Sequence, residues 1–236
     1  MRVRLQSRLL PADERGVESD NDALDLGTAG ASAHREYERR RANREQRTRE
    51  AHPRIGGLLF RLKDDPQHEI VWSRGGLGEE ASAATFAKHC VASVLVLHDR
   101  RIRGSRANID HLAVCANGVW VIDSKRYTGK VRIHDPWFGE KTLKIDGRDK
   151  TKLITGLAKQ VELVRAALVE TAPGVPVSGA LSFVGDGLPL IGKLTFQGYP
   201  IRSPRQVAKL LNAEGELTPS MVRALAIELA KKFPSA

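Results

Sequence analysis

Residues 108–125 (NIDHLAVCANGVWVIDSK) constrain the fold more than any other stretch of the chain. Two apolar runs flank Asn117-Gly118, the dipeptide that most strongly marks a two-residue hairpin turn. Val, Ile, Leu and Trp fill both runs, so each strand belongs inside a sheet covered on both faces. Asp110, Asp123 and Lys125 interrupt that pattern. A buried charge is costly unless it is paired or holds a metal.

Register decides whether the three side chains can act together. With Asn117 and Gly118 as the loop, Lys125 faces Asp110 and Asp123 faces Leu112. Side chains alternate between faces along a strand, so all three charged groups project from one face. Diagonal neighbours there lie about 7–8 Å apart at the backbone, near enough for two carboxylates to share a cation. A three-residue loop would shift the pairing by one and send Asp110 and Asp123 to opposite faces.

Two carboxylates are hard oxygen ligands suited to Mg²⁺ or Mn²⁺. Such an ion acidifies water and neutralises charge building on a phosphoryl oxygen, and Lys125 beside it could orient the attacking water. The alternative is a buried Asp–Lys ion pair without chemistry. A lone Asp-x-Lys on a strand reads that way; the second Asp on the same face makes the metal site an equal alternative.

The motifs Gly78-Glu79, Asn108-Ile109-Asp110-His111 and Val121-Ile122-Asp123-Ser124-Lys125, with Gln160 on a later helix, resemble the nuclease-related domain family. That family is a branch of the PD-(D/E)xK, restriction-endonuclease-like superfamily, and the resemblance covers roughly residues 75–185. It implies an α/β fold with an αβββαβ core, a mixed central sheet flanked by helices, and Mg²⁺-dependent phosphodiester cleavage. It also implies that Asp110 and Asp123 are metal ligands, Lys125 the catalytic lysine, Glu79 a helix-borne acid and Gln160 the polar residue of the second helix. Asp stands at 123 where many members of the family carry Glu; the pattern accepts both.

Charge supports a polyanionic partner. The net charge is +10 and the pI near 9.9, and a basic surface speeds encounter with nucleic acid. A ribosomal or membrane-surface partner would select the same sign. Through Ile55 the chain carries 12 basic and 10 acidic residues, against 26 and 18 after it, so most of the excess lies on the domain itself. Cys90 and Cys115 form no disulfide framework and lack zinc-site spacing. With no signal peptide and no run of about 20 apolar residues, the expected setting is the cytoplasm, away from membranes.

Three regions follow in order. Residues 1–33 have few large apolar side chains and read as disordered or loosely attached. Residues 34–62 form a charged helical arm; residues 34–54 alone hold eight Arg and four Glu. Glu36–Arg40 and Glu45–Arg49 have helical spacing, but no apolar stripe exists to bury. A solvated helix, a DNA-backbone clamp and a dimerisation arm all fit. Residues 63–236 form the nuclease-like domain. There, Asp64-Asp65-Pro66 opens a helix, Gly75-Gly76 interrupts it, and residues 77–90 continue as the core's first helix.

Residues 93–98 begin the sheet. The loop that follows carries Arg101, Arg103 and Arg106 towards Asp110, suited to phosphates or simply solvated. Arg126 and Lys130 after the second hairpin strand are further candidates for the nucleic-acid backbone, and Tyr127 either stacks on a base or packs in the turn. Residues 137–139 and 143–146 suggest a hairpin widening the sheet. Leu153, Leu157, Val161, Val164 and Leu168 recur at helical spacing over residues 150–170, and Gln160 beside them needs a partner. Strand, long helix, strand over residues 120–184 argues for a parallel pairing. Residues 194–201 form one further strand, and Ser203-Pro204 and Thr218-Pro219 open two helices.

Three readings compete. A Mg²⁺- or Mn²⁺-dependent nuclease, acting most naturally on DNA, uses every feature. A non-cleaving nucleic-acid-binding module shares the basic body but does not need the acid-plus-lysine set. A glycosidase pairing Asp110 with Asp123 is the weakest, since Lys125 and the basic body suit a phosphodiester better.

Overall fold

The structure, a computed structural model, describes residues 24–51, 53, 67–105, 107–189 and 192–236, with the backbone alone described at 67–75. A six-stranded mixed sheet lies at its centre, in the order β1 (Leu95–Arg101), β2 (Asn108–Cys115), β3 (Gly118–Arg126), β7 (Val177–Val184), β9 (Tyr199–Arg202), β8 (Leu194–Phe196). The pairs β1–β2, β2–β3 and β8–β9 are antiparallel, and β3–β7 and β7–β9 are parallel. Helix α3 (Thr151–Leu168) provides the crossover from β3 to β7 that a parallel pair requires.

Both faces of the sheet are covered, as the apolar strands demand. On one face α2 (Gln67–His89) and α4 (Pro204–Leu211) set Phe86, Val207 and Leu211 against Ala113, Cys115, Ile122 and Ala180. On the other, α3 and α5 (Pro219–Lys232) set Leu157, Val161, Val164, Leu225 and Leu229 against Leu112, Val114, Val119 and Val121. The order α2, β1, β2, β3, α3, β7 is the αβββαβ core of the restriction-endonuclease-like fold. Ser203 and Thr218 cap α4 and α5, each accepting a hydrogen bond from the backbone two residues beyond Pro. No helix among the described residues is long and apolar enough to cross a membrane.

Several local expectations are corrected. The hairpin turn is Ala116-Asn117, one residue earlier than the dipeptide rule places it, and Cys115 pairs with Gly118. Gly118 lies inside β3 at φ +124°, where an added Cβ would meet the Pro176 carbonyl at 2.4 Å. Asn117 is occupied elsewhere: its Nδ2 donates to the Leu210 and Ala213 carbonyls, and its Oδ1 accepts from Trp120 Nε1. Gly75-Gly76 does not break α2. Gly76 instead lets α1 (Ala31–Ala51) approach, with Ala33 and His34 near 3.5 Å from where a Cβ would stand.

The second hairpin exists but does not widen the main sheet. β4 (Val131–His134), β5 (Thr142–Ile145) and β6 (Arg148–Asp149) form a separate three-stranded sheet. Residues 194–201 are not one strand. Gln197 and Gly198, both at positive φ, fold β8 back on β9.

The arm helix is present, starting at Ala31, and its Glu36–Arg40 and Glu45–Arg49 ion pairs form. Ahead of it, the chain from Leu24 to Gly30 packs on the domain: Leu26 O accepts from His98 N, and Asp25 O from Arg100 Nη1. That part of the N-terminal stretch is therefore held, not loose; residues 1–23, the end of the arm at 54–62 and the helix start expected at Asp64-Asp65-Pro66 lie outside the described residues. The other end of the chain meets β1 too, through Arg101 N to Pro234 O and Ala236 N to Asp99 O.

Candidate functional site

The β2–β3 ladder runs from Cys115–Gly118 to His111–Ile122. One position further on, Asp110 lies opposite Asp123. The observed register differs by two from the expected one, and a shift of two keeps every side chain on its face. Asp110, Asp123 and Lys125 do meet. Asp110 Oδ2 accepts from the Ser124 backbone N–H at 2.8 Å, taking the place of a ladder partner. Lys125 Nζ reaches Asp110 Oδ2 at 3.5 Å and forms a close ion pair with Asp123 Oδ1. The two carboxyls also hydrogen-bond to one another.

Glu79 joins them electrostatically from the middle of α2. Burial foremost, then the charge of Asp110, pushes its carboxyl up to about 9, against the pull of Lys125. Its Oε2 accepts from Gly30 N at 3.1 Å. Burial and the Asp110 carboxylate likewise push Asp123 up to about 7. Burial opposes ionisation of Asp110 as well, but the Lys125 ammonium and the hydrogen bonds from Asp123 and Ser124 hold it below the usual range. Burial disfavours the Lys125 charge; Asp110, Asp123 and Glu79 outweigh that and hold its pKa above the ordinary value. At neutral pH the cluster keeps Asp110 ionised, Lys125 charged and Glu79 protonated.

Gln160 comes close in the fold without touching the carboxylates. Its Nε2 donates to Asn108 O at 3.1 Å, and its Oε1 is buried without a partner. The basic candidates divide. Arg126, the last residue of β3, and Lys130 beyond it are exposed. Arg101 is exposed, whereas Arg103 is tied to the carbonyl of Lys231 in α5; Arg106 lies outside the described residues. Tyr127 packs against Phe183, ring centroids 6.1 Å apart, with Lys150 Nζ above it.

One feature escaped the sequence. Asp99 is buried, with its carboxylate accepting from Ser32 N and from Asn108 Nδ2 at 2.9 Å. In the β1–β2 register it falls opposite Asp110, between the His98–His111 and Arg100–Ile109 pairs. The neighbouring Arg run masks it; the β1–β2 register would have revealed it. Beneath the site, His111 turns to the α2 face as expected of a structural residue. It meets Phe86 edge-on and hydrogen-bonds His98 Nδ1 and Ser124 Oγ at 2.8 and 3.0 Å.

The donor chemistry fits a divalent cation that keeps most of its waters. Asp110 and Asp123 present adjacent hard oxygens, and Mg²⁺ commonly takes one or two carboxylates. Among the described residues no three His, Cys, Asp or Glu side chains are gathered as a ready cage. The Lys125 ammonium instead bridges the pair.

Residues 74–184 match the family model described as nuclease-related domain. The match runs from within α2 to the end of β7, so it includes Glu79, Asp110, Asp123, Lys125 and Gln160 and leaves out the arm and the last two helices. No curated protein and no solved structure matches the chain significantly. With the core order, the acid–lysine cluster and this match in agreement, residues 74–184 are a nuclease-related domain.

Proposed function

We propose that the protein is a metal-dependent nuclease that hydrolyses phosphodiester bonds, with DNA as its principal substrate. The observation that carries the reading is the convergence of Asp110, Asp123 and Lys125 at one end of β3, with Glu79 coupled to them. Asp110 and Asp123 would hold Mg²⁺ or Mn²⁺. Such an ion supplies Lewis acidity at a phosphoryl oxygen and makes water a better nucleophile at neutral pH.

The chain's own groups do the rest. Ser124 N–H fixes the Asp110 carboxylate, so its free oxygen has a defined direction. Lys125 Nζ, within reach of both carboxylates, could donate to the attacking water or to a phosphoryl oxygen gaining charge. Glu79, protonated at neutral pH, can give a proton to the leaving oxygen. Arg126 and Lys130, exposed at and just past the end of β3, suit the phosphate backbone. The free thiols Cys90 and Cys115, both pushed up to about 11 chiefly by burial, suit a reducing cytoplasm.

A second reading keeps the fold and drops the chemistry. The Lys125 bridge between the carboxylates supports it, because a bridged pair is a stable ion-pair motif for a module that only grips nucleic acid. Plasmid and single-stranded DNA incubated with Mg²⁺, Mn²⁺ or EDTA, beside an Asp123→Ala variant, separate the two. Metal-dependent cutting lost in the variant is expected. Cutting retained in Asp123→Ala sinks the nuclease assignment; no cutting with salt-sensitive binding in both proteins establishes the binding module.

A further inference from the structure

The β4–β5 hairpin presents features that the carboxylate site does not use. Its inner side chains Val131, Leu143 and Ile145 pack on Ile154 and Phe183, which anchors it to the main domain. Outward, Arg132 and Lys144 lie directly opposite in the ladder, a like-charge pairing that destabilises a hairpin unless an anion lies over it. Asp149 across β5 answers Lys144 only in part. Among the described residues no carboxylate forms an ion pair with Lys130, Arg132 or Lys144. These three line a cavity of about 740 Å³ with His134 and a single carboxylate, Asp146.

At the hairpin tip, Trp137 and Phe138 are 93% and 86% exposed. The Asp135–Lys141 ion pair at 2.7 Å closes the loop behind them. Two adjacent aromatic rings held in solvent beside a cationic concavity match what an unpaired strand offers, namely flat bases and a phosphate chain. Chain length also places the start of the hairpin near the carboxylates: five residues lie between Lys125 and Val131, at most about 20 Å of extended backbone.

We propose that this hairpin grips single-stranded nucleic acid, stacking bases on Trp137 and Phe138 while Lys130, Arg132 and Lys144 meet its phosphates. The inference rests on the nuclease reading and narrows its substrate class to molecules with an unpaired segment, such as a flap, a frayed end or a single strand. A lipid surface would also attract aromatic and basic groups. The charges here line a concavity behind the tip, which suits a strand better than a plane.

The test uses the full chain in EDTA, so binding is measured without cleavage and is judged apart from nuclease activity. Fluorescein-labelled oligothymidylate and a duplex of equal length are titrated against wild type and the double variant Trp137→Ala/Phe138→Ala. Both side chains are solvent-exposed, so an unchanged thermal midpoint is expected and is checked. Affinity for the single strand should fall about tenfold or more, with duplex affinity unchanged. Tryptophan fluorescence should be quenched by the oligonucleotide in wild type and much less in Trp137→Phe. Unaltered single-strand affinity in the folded double variant overturns the proposal, as do equal losses for both ligands. Loss of co-sedimentation with phosphatidylglycerol vesicles, with oligonucleotide binding kept, assigns the tip to a lipid surface instead.

Discussion

Replacing Glu79 with Gln should make the protein more stable, by an amount that grows with pH. The carboxyl ordinarily titrates near 4.5 and is pushed up to about 9 in the folded chain, by burial foremost. A folded pKa above the unfolded one contributes stability that is complete below the unfolded value and is lost as pH rises through the folded one. Each pH unit between them corresponds to about 1.4 kcal/mol. At pH 7 the accumulated difference is about 3 kcal/mol, and Gln, which does not titrate, avoids it. Its amide oxygen can still accept from Gly30 N. For a domain of this size, that corresponds to a rise of about 6–12 °C in the thermal midpoint. Urea unfolding of both proteins in EDTA at pH 5 and pH 8 gives the comparison. The two should be nearly equal at pH 5 and well separated at pH 8. A constant offset, or a variant weaker at pH 8, would refute the idea that the Glu79 charge is suppressed by its neighbours.

Two further outcomes test the frame around the site. Burial foremost takes His98 down to about 4, so its stabilisation is complete above pH 6.5 and is lost as pH falls towards 4. The advantage of wild type over His98→Gln should shrink by about 3 kcal/mol between pH 7 and pH 4 in denaturant titrations. Gly179→Ala drives a methyl to 2.7 Å from Val161 Cγ2 and 2.9 Å from the Tyr199 ring. Overpacking there should cost about 1–3 kcal/mol, read as a lower denaturant midpoint; an unchanged midpoint would show that α3 sits less tightly on β7.

Much of the site was legible because its logic is periodic. The alternation of strand side chains places Asp110, Asp123 and Lys125 together for any register shift of two, which is why the wrong turn residues still led to the right face. The turn itself was not legible locally. Gly118 suits its positive-φ position, where the Pro176 carbonyl crowds its backbone, and Asn117 is held by α4, contacts from residues far along the chain. Gly75-Gly76 misled for a related reason. Glycine weakens an isolated helix, yet here its missing side chain admits α1. The hidden carboxylate was Asp99, whose significance depends on the pairing of β1 with β2 and on amides arriving from Ser32.

The two ends of the described chain both fasten to β1, and that strand would otherwise be the open margin of the main sheet. Arg100, fully buried, ties them together by bonding to the Asp25 and Phe233 carbonyls. An uncovered strand of this kind is a template for pairing with another chain. Trimming either tail for crystallisation or tagging would therefore do more than shorten the molecule. It would uncap a row of free amides and carbonyls and invite edge-to-edge self-association along the very strand that carries Asp99.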